Sequence, residues 1–146
     1  MDRKEALEEM KDHINETLEG YQKLYEKANL SNIRYFLKGF MDEHKTMVEA
    51  IGTIMSGGDF KFPDLPRRPR LDAVSHTISL EDTQVGSLQS ILLYICRKEE
   101  ELSTDFEKIT SRVKKDSNIH GLREWQEQIF RKAEHLYADL IEAPSK

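Results

Sequence analysis

The sequence predicts an all-α protein, a bundle of four antiparallel helices built from two helical hairpins joined by one long crossover. Three observations predict it. Apolar residues recur at helical spacing in four separate stretches, short turn-forming segments separate the first stretch from the second and the third from the fourth, and a long aperiodic segment divides the two pairs. A chain of 146 residues is the size of one domain with one core, so residues 1–146 are expected to form a single unit.

The first helix is expected over about residues 3–28. Leu7, Met10, Ile14, Leu18, Tyr21, Leu24, Tyr25 and Ala28 form its apolar stripe, and Glu8, Glu9, Lys11, Asp12, Glu19 and Lys23 fill the other face. Asn29-Leu30-Ser31-Asn32 makes a turn in which Ser31 or Asn32 can cap the next helix. That second helix, about 32–56, carries Ile33, Phe36, Leu37, Phe40, His44, Met47, Val48, Ile51 and Ile54, and stops at Gly57-Gly58. From about 57 to 85 the periodicity disappears, and three of the prolines, Pro63, Pro66 and Pro69, fall here. A stretch of this length suits a crossover spanning the bundle, as needed when the second and third helices run parallel. Phe60, Phe62, Leu65, Leu71 and Val74 are placed to pin it to the surface.

The third helix is expected over about 86–114, or from a turn earlier after Ser79-Leu80-Glu81-Asp82. Its stripe is Leu88, Leu92, Ile95, Glu99, Leu102, Phe106, Ile109 and Val113. Lys114 to Asn118 turn the chain, and the fourth helix, about 119–142, runs through Leu122, Trp125, Ile129, Phe130, Ala133, Leu136, Tyr137, Leu140 and Ile141 until Pro144 ends it. The two halves resemble one another. Tyr21-Gln22-Lys23-Leu24 and Phe106-Glu107-Lys108-Ile109 occupy matching places, as do Ser31-Asn32-Ile33 and Ser117-Asn118-Ile119, which makes an old duplication plausible.

Composition narrows the function. A net charge of −5 gives no general electrostatic reason to bind nucleic acid or an anionic membrane, and no segment approaches the roughly 20 apolar residues of a membrane span. The charged start of the chain lacks the apolar stretch of a secretory signal, and the single cysteine, Cys96, suits a reducing compartment, so a soluble cytoplasmic protein is expected. Cys96 is expected to be structural rather than reactive. Arg67-Arg68-Pro69-Arg70 is expected to be a solvated loop, and His13 with Glu9 an exposed helix pair. Phosphate-binding glycine loops and Gly-x-Ser-x-Gly arrangements are absent.

Two hairpins, a long crossover and a mid-helix aromatic resemble the ferritin-like superfamily, and most of all the small rubrerythrin-related proteins without an iron–sulfur tail. In that family helices one and three each carry a Glu about two turns before the aromatic, and helices two and four each carry Glu-x-x-His, whose members project from one face toward two irons. Seven residues before Phe106 stands Glu99, which fits; seven before Tyr21 stands Ile14, which does not. In helix two His44 takes the His slot with Met41 in the Glu slot, or a slipped register pairs Glu43 with Thr46. In helix four Glu134 takes the Glu slot and Tyr137 the His slot.

The residues three before His13, His44, His76, His120 and His135 are Met10, Met41, Ala73, Ser117 and Lys132, so no Glu-x-x-His occurs. The resemblance therefore implies a degenerate di-iron site, with no resident cofactor expected beyond residual iron or another divalent metal on Glu99, His44 and Glu134. Glu99 interrupts an apolar stripe, and a buried carboxylate needs a partner or a raised pKa. Trp125, Phe36 and Phe40 suit either the core or a dimer interface. Two functions are expected. One is a non-enzymatic structural or interaction protein that forms a homodimer through one helical face; the other is a small metal-binding or redox protein using the altered site.

Overall fold

The computed structural model describes residues 1–28, 31–63 and 82–142. Among these residues are four helices, α1 (Arg3–Lys27), α2 (Ser31–Met55), α3 (Asp82–Thr110) and α4 (Ser117–Glu142). Several boundaries have a local cause. Asp2 caps α1, its carboxylate accepting the Glu5 N–H at 2.8 Å. At the end of α2 the Gly58 N–H reaches the Thr53 carbonyl at 3.0 Å and the Gly57 N–H reaches Ile54 at 3.0 Å. This is a Schellman closure, and it needs the left-handed backbone of Gly57, whose φ is +90°.

The second hairpin turns earlier than its composition suggested. α3 begins at Asp82 and ends at Thr110, and α4 begins at Ser117. Asp116 sets the start of α4: Oδ1 accepts the N–H groups of Asn118 and Ile119 at 2.9 and 3.1 Å. Its other oxygen meets Arg3 Nε at 2.6 Å, so one carboxylate caps α4 and ties it to the start of α1.

Contacts between helices give their directions. Arg3 meets Asp116, His13 meets Asp105 at 3.2 Å and Tyr21 meets Glu99, so α1 and α3 run antiparallel. Since α1 and α2 form a hairpin, α2 and α3 run parallel. α1 packs against α2 and α3, and α4 packs closely on α3 and more thinly on α2. Apolar side chains from all four helices join in one core that includes Leu7, Ile14, Phe40, Ile51, Leu92, Phe106, Leu122 and Ile129. Each large apolar side chain so buried contributes roughly 1.5–3 kcal/mol relative to exposure.

Of the crossover, residues 57–63 are described, and they do lie on the bundle. Phe62 stacks on Trp125 with centroids 5.3 Å apart, and the Trp125 Nε1–H donates to the Pro63 carbonyl at 3.1 Å. Leu65, Leu71, Val74, His76 and Arg67-Arg68-Pro69-Arg70 lie outside the described residues. Among those that are described, no helix is long and apolar enough to cross a membrane.

Candidate functional site

Among the described residues, five polar or charged side chains are buried with the core: Thr17, Glu43, His44, Glu99 and Gln126. Tyr21 is also wholly buried and brings a hydroxyl with it. Three of these, Tyr21, His44 and Gln126, come from three different helices and converge on the carboxylate of Glu99, which belongs to the fourth. The Tyr21 hydroxyl of α1 donates to Glu99 Oε2 at 2.6 Å. His44 of α2 places Nε2 2.8 Å from the same oxygen. Gln126 of α4 donates from Nε2 to the Glu99 backbone carbonyl at 2.9 Å and to Oε1 at 3.3 Å.

The histidine fixes where a proton must lie. Its Nδ1 stands 2.5 Å from the Phe40 carbonyl, which can only accept, so Nδ1 carries hydrogen. A neutral ring would then turn the bare lone pair of Nε2 toward Glu99 Oε2. The contact is favourable only with a second proton between them, making an imidazolium–carboxylate pair or a neutral imidazole facing a carboxylic acid. Nε2 approaches off the line of a good hydrogen bond, so the contact is chiefly electrostatic. Burial disfavours the charged ring, but the Glu99 carboxylate and the Phe40 carbonyl outweigh it and raise the His44 pKa. Burial and the adjacent Glu99 push the Tyr21 phenol well above its ordinary range, so it remains a donor.

Beside this centre, Lys132 of α4 pairs with Glu43 of α2 and lies 4.4 Å from the centroid of the Phe40 ring. Burial raises the Glu43 carboxyl, with Lys132 opposing the shift. Among the described residues Glu43 Oε2, His44 Nε2 and Gln126 Oε1 carry no hydrogen bond, so Glu99 is hydrogen-bonded by Tyr21 and Gln126 and meets His44 through an electrostatic contact.

Of the three residues expected to form a residual metal site, the structure brings Glu99 and His44 into contact. Glu134 does not join them: its side chain is exposed, because Ala133 and Leu136 take the inward positions of that turn of α4. Ile14 and Met41 are buried in the core, and Tyr137 is half-buried at its edge. Among the described residues no three His, Cys, Asp or Glu side chains are grouped to hold a metal. A di-iron centre does not fit this donor set, since one carboxylate and one imidazole replace the six ligands such a centre uses. Cys96 is half-buried, and burial together with Glu134, Glu99 and Glu100 pushes its thiol up to about 11, so it stays protonated at neutral pH.

Sequence reasoning missed Tyr21 as a ligand of Glu99, and it missed Gln126 and Lys132 as members of this network; Glu43 entered only through the slipped register that paired it with Thr46. Gln126 carried a signal, because it falls between Leu122 and Ile129 on the apolar stripe of α4 and is wholly buried. Tyr21 carried another: a buried tyrosine needs a partner for its hydroxyl. Lys132 had none, since a lysine flanking a stripe is ordinarily solvated. No protein-family model, no curated protein and no solved structure matches the chain.

Proposed function

We propose that this chain is a ferritin-like, rubrerythrin-related bundle whose metal centre has been replaced by an internal hydrogen-bonded network, and that it works as a non-enzymatic structural or interaction protein. The observation that carries this reading is the engagement of Glu99. Its carboxylate receives Tyr21, His44 and Gln126, one group from each other helix, and Glu99, His44 and Gln126 are all inaccessible to solvent. The carboxylate is hydrogen-bonded by Tyr21 and Gln126 and lies against His44, so a substrate or metal would have to displace those groups to reach it. The order of the helices, with α2 parallel to α3, supports the ferritin-like part. Among the described residues, hollows lined by Arg97, Glu100, Glu101 and Asp105, and by Thr110, Lys114, His120 and Arg123, lie at the surface and include none of the central side chains.

Elemental analysis of protein purified without chelators, and again after ferrous iron is added, tests the reading. It predicts no stoichiometric metal in either sample. Metal at one or more equivalents that disappears in Glu99→Ala or His44→Ala would overturn it in favour of a small metal-binding or redox protein.

A further inference from the structure

The outward face of α2 carries a charge pattern that its own chain leaves unused. Tyr35, Lys38, Asp42, Lys45, Glu49 and Gly52 succeed one another at alternating steps of three and four residues, the seam spacing of paired helices, and every one of them is exposed. Lys38 and Asp42 stand one turn apart, as do Lys45 and Glu49, a spacing that favours pairing within a helix. Yet among the described residues none of the four makes an ion pair, whereas Lys23 and Glu19 of α1 do so at 3.5 Å and Lys98 and Glu101 of α3 at 3.4 Å. Tyr35 is 61% exposed, the most exposed large apolar residue described. A Cβ added at Gly52 would meet nothing within 4 Å, so nothing in its own chain requires glycine at a helical position that disfavours it.

The pattern is self-complementary when reversed. Turned end for end about a point between Glu43 and His44, Asp42 falls opposite Lys45, Lys38 opposite Glu49, and Tyr35 opposite Gly52, where the missing side chain leaves room for a ring. Each pairing then occurs twice, as a two-fold axis requires. We propose that α2 docks antiparallel on α2 of a second copy of this chain, the charged pairs setting register and the two tyrosines seating over the two glycines. This gives the interaction role proposed above its partner and rests on that reading only so far. It uses the outer face of α2 alone, so a monomer would leave the closed centre standing, and a metal at the centre would leave the dimer standing.

Sedimentation equilibrium of the full chain over a range of concentrations and salt tests the proposal. The expected result is a monomer–dimer equilibrium that shifts toward monomer as salt rises, because exposed charge pairs are screened. Lys38→Glu, which sets two like-charged pairs across the axis, weakens the dimer by about tenfold or more. Adding Glu49→Lys restores it. Lys38→Glu with Asp42→Lys, which keeps opposite charges one turn apart within the helix but misplaces them across it, does not. A monomer at all concentrations, a dimer indifferent to Lys38→Glu, or equal rescue by both double variants would overturn the proposal.

Discussion

Along the seam between α1 and α3, two layers are built at the same spacing with opposite chemistry. In one, Tyr21 faces Glu99. In the other, seven residues away on each helix and level with the His13–Asp105 contact, Ile14 and Phe106 are buried in the common core. The bundle is therefore polar at the level of Glu99 and apolar at the level of Phe106. An apolar layer needs only volume and shape. A polar layer must satisfy each atom it buries, which is why Glu99 draws a partner from every other helix.

Glu99→Ala should have the largest effect. It removes the acceptor of Tyr21 and Gln126 and leaves His44 buried without its counter-charge, at a cost of about 3–5 kcal/mol in urea-induced unfolding. A loss below about 1 kcal/mol would mean that the layer is wet and loosely held. Replacing the whole layer together, with Glu99→Met, His44→Leu, Tyr21→Phe and Gln126→Met, sharpens the comparison. The expected outcome is stability equal to the parent or up to about 4 kcal/mol greater, since an apolar core of similar volume asks for no partners.

Tyr21→Phe should cost roughly 1.5–3 kcal/mol, the range for a hydrogen bond to a charged group, and should lose most of that effect when Glu99 is already replaced. Additivity in that double-mutant cycle would contradict the contact. The pH dependence is next. A raised His44 pKa contributes stability that is whole below the ordinary histidine value of 6.5 and is lost as pH rises through the folded-state value. Unfolding free energy should therefore fall above about pH 6.5 by up to about 1.4 kcal/mol per pH unit, and His44→Gln should flatten that fall. Glu43, also raised, acts in the same direction but from its ordinary value of 4.5 upward, so it does not imitate this window's onset. In the apolar layer Ile14→Val should cost only about 0.5–1.5 kcal/mol and show no pH dependence.

Much of the fold was legible because its signals are local. Apolar stripes marked all four helices, and Gly57 marked the end of α2. The boundaries of α3 and α4 were read less well, since Asp116 acts as a cap only once its neighbours are helical. Glu99 announced itself by interrupting a stripe, and His44 by sitting on one. Their meeting was among the expectations, whereas the parts of Tyr21 and Gln126 required knowing which faces of α1 and α4 meet α3. Glu134 was placed inward by analogy with a family pattern, and Leu136, the stronger apolar neighbour, took the interior instead.

Whether protein groups alone complete the centre is read most directly by thermal unfolding with and without added ferrous iron or zinc. A ligand that binds the folded chain raises its Tm, by about 2.7 kcal/mol of added stability at a hundredfold excess over Kd. A centre closed by Tyr21, His44 and Gln126 predicts the same Tm in both conditions. A metal-dependent rise that Glu99→Gln abolishes would contradict it.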